Sequence, residues 1–228
     1  MHQRYLEVRR LGRVGYANAL DLQKELEAKA IANREHNYLL LLEHPHTFTL
    51  GRRSKDEGVL ATAEMLRSLG VEVFETNRGG KVTYHGIGQI VGYPIISLSP
   101  DREDVHKYVR DIEEVLIRTM ADFGIDAFRF EGLTGVHTPQ GKVAAIGVHI
   151  KRWVTTHGFA LNVNTDLSYY NWIIACEGEP VTSMERLLDC EVDITEVENR
   201  IEANFCDVFG FISVNSASTY AISALSVS

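Results

Sequence analysis

At 228 residues the chain suits one domain, or one domain with a small appendage, and its core needs neither disulfides nor a metal to hold it. Apolar residues at 45% and charged residues at 24% describe an ordinary soluble globular protein, and the formal net charge of −8 argues against general nucleic-acid binding. Three cysteines without a CxxC pair, an N-terminus lacking a secretory pattern and the absence of any apolar run near the roughly 18–20 residues that cross a bilayer predict a reducing, cytoplasmic setting with no membrane association.

In chain order, Tyr5 to Arg9 reads as a first strand broken by Gly12 to Gly15. Helical spacing runs from Tyr16 to about Arg34, with Ala19, Leu22, Leu26, Ala30 and Ile31 inward. The apolar run Tyr38–Leu42 predicts a central strand, followed by a short strand over Thr47–Leu50, a helix over Ala61–Leu69 and a strand over Val71–Glu75. Ile90–Ile96 has the composition of a buried strand. Asp104 to Phe123 carries the clearest helical period, with Val105 among its inward residues and Gly124 at its end. Strands are expected over Ala127–Glu131, Thr134–Thr138, Val143–Trp153 and Thr155–Asn164. Thr195-Glu196-Val197-Glu198 reads as a capping box opening a last helix that ends at Gly210. Residues 1–212 then form one domain, and the Ser- and Ala-rich segment 213–228 reads as a weakly ordered tail. Helices and strands mix without regular βαβ alternation, which predicts an α+β fold built on a mixed sheet with flanking helices.

The segment from Arg78 to Gln89 reads Arg78-Gly79-Gly80-Lys81-Val82-Thr83-Tyr84-His85-Gly86-Ile87-Gly88-Gln89. Four glycines among cationic, hydroxyl, imidazole and amide groups suit a loop that approaches a ligand closely, and equally a glycine-rich hairpin with solvated charges. Two further segments stand out: Gly141-Lys142-Val143-Ala144-Ala145-Ile146-Gly147, and Thr155 to Asn164 with His157-Gly158-Phe159-Ala160 at its centre. A fourth is the polar turn around Cys176. Cys206 and Cys190 read as structural. His44, His46, His85 and His157 lack the spacing of a metal site, so no metal is expected, and His85 and His157 read as pocket-shaping.

Together these segments, in this order and spacing, resemble the lipoyl(octanoyl) transferase family, over about Tyr5 to Phe209. The resemblance implies a fold like that of biotin and lipoate protein ligases, a mixed sheet curved around an acyl tunnel. It implies transfer of an octanoyl group from acyl carrier protein, through a thioester on Cys176, to a lysine of a lipoyl domain. The accepting proteins would be the lipoyl domains of 2-oxoacid dehydrogenase complexes and the glycine cleavage H protein. Lys142 would partner Cys176 and lower the pKa of its thiol. Arg78, Gly79, Gly80, Lys81, Val82, Thr83, Tyr84 and His85 would wall one side of the acyl pocket, completed by Ala145, Ile146 and Gly147 and by Gly158, Phe159 and Ala160. No cofactor is implied, because the substrate carries its own phosphopantetheine and thioester exchange needs no ATP or metal. The small residues Ala145, Gly147, Gly158 and Ala160 would leave room for the chain, so a larger residue at Gly147 is expected to shorten it. Arg52, Arg53, Lys151 and Arg152 offer a local basic patch for an acidic carrier protein.

Two positions depart from the family pattern. Ile87 stands where proline is usual, and Ala175-Cys176-Glu177 replaces Pro-Cys-Gly. A carboxylate of Glu177 facing the thiol would raise its pKa. Two other readings remain: an ATP-dependent lipoate or biotin protein ligase of the same fold, which needs no cysteine, and a non-catalytic acyl-protein binder.

Overall fold

The computed structural model describes residues 3–54, 58–174 and 179–215. Its backbone is a seven-stranded mixed sheet and a three-stranded sheet, with helices on both faces of the larger one. In chain order the elements are β1 (Arg4–Arg13), α1 (Tyr16–Ala32), β2 (Tyr38–Glu43), β3 (Thr47–Leu50), α2 (Ala63–Ser68), β4 (Glu72–Glu75), β5 (Val82–His85) and β6 (Gln89–Ile95). There follow α3 (Val105–Asp122), β7 (Val136–Thr138), β8 (Gly141–Lys151), β9 (Val154–Asn162), a 3-10 turn over Leu167–Trp172, α4 (Met184–Leu188), α5 (Ile194–Phe209) and β10 (Phe211–Asn215). The large sheet runs β10-β1-β2-β6-β9-β8-β7, with β1 parallel to both its neighbours and the other pairs antiparallel. The small sheet runs β4-β3-β5.

Strand alternation divides the core. Leu39, Leu41, Ile90, Phe159 and Leu161 join Tyr108, Ile112, Leu116 and Met120 of α3 and Ile201 and Phe205 of α5 in one cluster. Tyr38, Leu40, Leu42, Val91, Tyr93 and Ala160 join Ala19, Leu26 and Ala30 of α1 in a second. Burying both faces of β2 and β6 explains why they read as unbroken apolar runs. The small sheet adds a third cluster around Phe48, Val82 and Tyr84.

Long-period elements fall where the spacing predicts them, and the departures have local causes. In α3, Asp104 caps the helix by accepting from the Lys107 N–H at 3.0 Å, so Val105 lies in the exposed first turn rather than inward. The cap of α5 is Asp193, whose carboxylate accepts from the Thr195 and Glu196 N–H groups, so Thr195 is already helical and the expected capping box is not used. Ala127–Glu131 forms no strand. Phe128 makes one bridge, exchanging backbone hydrogen bonds with His137, and Gly132 then turns the chain away at φ 79°. Beyond the left-handed Gly210, the chain re-enters the sheet as β10, so Ser213, Val214 and Asn215 continue a ladder with β1 past the expected boundary at 212. Residues 216–228 of the expected tail lie outside the described residues. Among the described residues no helix is long and apolar enough to cross a membrane.

Candidate active site

The three motifs meet because β5, β8 and β9 bring them together across the two sheets. In the β8–β9 hairpin Ala145 pairs with Ala160, Ile146 with Phe159, and Gly147 with Gly158, so the two motifs lie side by side. The Arg78 loop is fastened over this ladder: Gly79 N–H donates to Val148 O at 2.9 Å, and Arg52 and Arg53 N–H donate to Arg78 O and Gly80 O, both at 3.0 Å. Between loop and ladder is a cavity of about 250 Å³.

The cavity takes in most of the expected residues. Arg78, Gly80, Lys81, Val82, Thr83 and His85 line it from one side, Ala145, Ile146 and Gly147 and Gly158, Phe159 and Ala160 from the other, and Lys142 from one end. Two of the expected wall residues do not line it. Gly79 contributes through its backbone bond to β8. Tyr84 alternates to the far side of β5, where its ring stacks 4.9 Å from Tyr169 and its hydroxyl meets His46 Nδ1 at 2.8 Å. The sequence reading missed Tyr16, Tyr93, Leu133 and Thr134, which also line the cavity. Tyr16 begins α1 and Leu133 lies in a loop, so neither carries a local signal.

Gly147 faces the loop rather than the length of the cavity. A Cβ there would lie 2.8 Å from Gly79 O and 3.2 Å from Arg78 Cδ. Gly147→Val is therefore expected to lift the Arg78 loop and lower transfer of every chain length by about tenfold, with no selective loss of longer chains. Steady-state rates with carrier-bound hexanoyl, octanoyl and decanoyl groups would check this; loss confined to the longer chains would contradict it.

A chain of buried polar groups holds the site's geometry. Arg78 donates to Thr49 O at 2.6 Å and to Thr49 Oγ1 at 2.9 Å. Thr49 Oγ1 lies 3.3 Å from His85 Nε2, and His85 Nδ1 lies 2.9 Å from Gln89 Oε1. The Gln89 amide donates to Tyr84 O and to Asn162 Oδ1, and Asn162 Nδ2 donates to Thr182 O at 3.0 Å. The Gln89 oxygen only accepts, so His85 carries its proton on Nδ1. His85, Gln89 and Asn162, all motif residues, thus connect loop, sheet and the segment after Pro180, each buried and hydrogen-bonded.

His44, His85 and His157 are neutral. Burial lowers His44 to about 4 and His157 to about 3, and it holds the fully enclosed His85 well below its ordinary value, where His44 and Arg78 add repulsion. His44 Nδ1–H donates to Val14 O at 2.6 Å, and its Nε2 accepts from the Tyr93 hydroxyl at 2.8 Å. Below about pH 6.5 the unfolded chain takes up protons that the folded protein refuses, so stability falls as the pH is lowered. Between pH 7 and 5 we expect a loss of roughly 2 kcal/mol from each of His44 and His157. Urea unfolding of His44→Gln at the two pH values should show a smaller drop than wild type; an equal drop would count against this assignment.

Lys142 is buried at the start of β8, with its Nζ 3.7 Å from Glu179 Oε2. The same carboxylate oxygen is 3.4 Å from His137 Nε2. Lys142 also anchors the following segment: its N–H donates to Pro180 O at 2.8 Å, and its O accepts from Thr182 N–H at 3.0 Å. Cys176 and Glu177 lie outside the described residues. The chain on either side is held, by Ile174 N–H to Gly58 O at 2.9 Å and by the Lys142 bonds. Cys190 is exposed, whereas Cys206 is half-buried with its thiol pushed up to about 11 by burial, which disfavours the nucleophilic thiolate there. Among the described residues no cluster of three or more His, Cys, Asp or Glu side chains could hold a metal.

Positions 15–206 match the family described as lipoyl protein ligase A/B catalytic domain. The chain is 48% identical to an octanoyltransferase of Solibacter usitatus, covering 94% of this chain and 97% of that one. It is 49% identical to an octanoyltransferase of Koribacter versatilis, covering 90% and 84%. In fold it is similar to a bipartite lipoate protein ligase from Thermoplasma acidophilum, with a TM-score of 0.73 at 18% identity over 94% of this chain and 88% of that one. The chain belongs to the octanoyltransferases of the lipoyl protein ligase A/B catalytic-domain family.

Proposed function

We propose that this octanoyltransferase takes its acyl group from acyl carrier protein, holds it as a thioester on Cys176 within the cavity ended by Lys142, and passes it to a lysine of a lipoyl domain. The observation that carries the reading is the buried Lys142 side chain, which lines the same cavity as the small residues Ala145, Gly147, Gly158 and Ala160 of β8 and β9. Its Nζ is within an ion-pair distance of Glu179, and Cys176 is three residues before Glu179.

In the first half-reaction the Cys176 thiolate attacks the thioester carbonyl and a tetrahedral oxyanion forms. The carbon–sulfur bond to phosphopantetheine then breaks, and Lys142 gives the leaving thiolate its proton. In the second half-reaction the neutral amine of the target lysine attacks the acyl-enzyme. Lys142 takes up the proton that the amine loses, and the Cys176 thiolate departs. Exchanging thioesters is nearly balanced in energy, and amide formation from a thioester is downhill, so neither half calls for nucleotide. The partners fitting this chemistry are octanoyl-acyl carrier protein as donor and, as acceptors, lipoyl domains of 2-oxoacid dehydrogenase complexes and the glycine cleavage H protein.

Intact-protein mass after mixing with octanoyl-acyl carrier protein, without ATP, tests the reading. A gain of one octanoyl group is expected, absent in Cys176→Ser and discharged by a lipoyl domain. No adduct without ATP, with transfer restored by ATP and free octanoate, would replace the transferase by a ligase.

A further inference from the structure

The cavity between the Arg78 loop and the β8–β9 ladder has a back wall, and a second cavity lies behind it. His157 pairs with Val148 in the β8–β9 ladder, and Lys142 Nζ lies near Ala144 O, both being within 3.3 Å of where a Cβ on Gly135 would sit; four residues of strand from Ala144 to Val148 span roughly 13 Å. His157 lines the cavity that contains Lys142, and it also lines a separate cavity of about 330 Å³ bounded by Gln23, Glu27, Asn77 and His149. A chain entering at Lys142 and following the small residues of β8 and β9 therefore meets the His157 ring last.

That ring is clamped. His157 has φ 55°, a left-handed conformation that a residue with a Cβ keeps only where its surroundings impose it. Its backbone N–H donates to Gln23 Oε1 of α1 at 2.8 Å, and its Nε2 lies 2.7 Å from Asn77 Oδ1. The Asn77 oxygen only accepts, so the proton is on Nε2. Gln23 and His157 are both almost fully buried, at 1% and 2% exposed. Among the described residues, Gln23 Nε2 and His157 Nδ1 have no hydrogen-bond partner, so the clamp consists of the two bonds above. Desolvation keeps the ring uncharged, which lets an alkyl terminus rest against it.

We propose that His157, clamped by Gln23 and Asn77, is the end stop that sets the length of the accepted acyl chain. The inference rests on reading the cavity that contains Lys142 as the acyl site.

The test is competition between octanoyl- and dodecanoyl-acyl carrier protein for transfer onto a lipoyl domain, with the two products counted by mass. His157→Gly suits the purpose because glycine takes a positive φ without cost while removing the ring. Its dodecanoyl-to-octanoyl product ratio is expected to rise about tenfold or more over wild type, since even one methylene accommodated or excluded is worth that much. Gln23→Ala, which loosens the clamp but keeps the ring, should raise the ratio about threefold, and it carries the test if His157→Gly does not fold. Continued octanoyl transfer at the wild-type ratio in the folded variants would overturn the end stop. A wild-type protein that transfers neither acyl group would instead overturn the reading of the cavity itself, and the end stop with it.

Discussion

Lys142→Met is expected to lower octanoyl transfer by about a thousandfold with the fold intact. Methionine matches the length of the lysine stem and suits a buried position, and the backbone bonds of residue 142 to Pro180 and Thr182 do not depend on the side chain. What is lost is the ammonium. An unassisted thiol with a pKa of about 8.5 is only a few per cent thiolate at neutral pH, and the departing phosphopantetheine thiolate would have no acid to protonate it. The defect should appear in both half-reactions. Formation of the acyl-enzyme in a rapid-mix mass experiment should slow, and discharge of pre-formed acyl-enzyme by a lipoyl domain should slow as well. Alkylation of Cys176 by iodoacetamide at pH 7 should fall in parallel, because it reads the thiolate directly. Wild-type acylation and alkylation rates in Lys142→Met would remove Lys142 from the chemistry.

Gly135→Ala should cost transfer about a hundredfold, although residue 135 touches no substrate in this scheme. Gly135 has φ 126°, which disfavours any side chain. A Cβ at that position would lie 2.5 Å from Ala144 O and 2.6 Å from Lys142 Cε, with Nζ at 3.3 Å. Neither Ala144 nor the Gly135 backbone can yield easily. Ala144 is within the β7–β8 and β8–β9 ladders, and Gly135 N–H donates to Glu113 Oε1 at 3.0 Å. Glu113, fully buried on α3, is held in turn by Arg110 at 2.7 Å and Arg129 at 3.3 Å. The lysine stem is the part left to move, and its ammonium moves with it. A fall in kcat with KM for the carrier substrate nearly unchanged would fit a displaced ammonium; a rise in KM alone would point to a distorted entrance.

Much of the fold was legible because its longest elements carry their period locally. The apolar run of β2 and the three-and-four spacing of α3 are properties of contiguous residues, and each identifies a buried strand or a helix face before any partner is known. Elements whose existence depends on a distant partner were not legible. β10 is five residues long and forms because β1, some two hundred positions away, offers a parallel edge, while Ala127–Glu131 has a strand-like composition and finds one bridge. Capping also turned on a single residue: Asp193 accepts two N–H groups, and the Thr195 box is thereby displaced.

For the site, the sequence by itself determined which groups are available and that three motifs belong to one enzyme family. It placed a lysine before a strand of small residues, and glycines where a loop must press on that strand. Only the tertiary structure decided which way those groups face and what they meet. Thr83 and His85 look into the cavity and Tyr84 looks away, because β5 alternates and its orientation comes from pairing with β3. Tyr16 and Leu133 reach the cavity through packing that no local pattern encodes. His157 takes a left-handed backbone because Gln23, 134 positions earlier, meets its N–H. Side-chain direction in a strand repeats every two residues, but the choice between its two faces is made by non-local pairing and burial, and that choice exists only once the chain has folded.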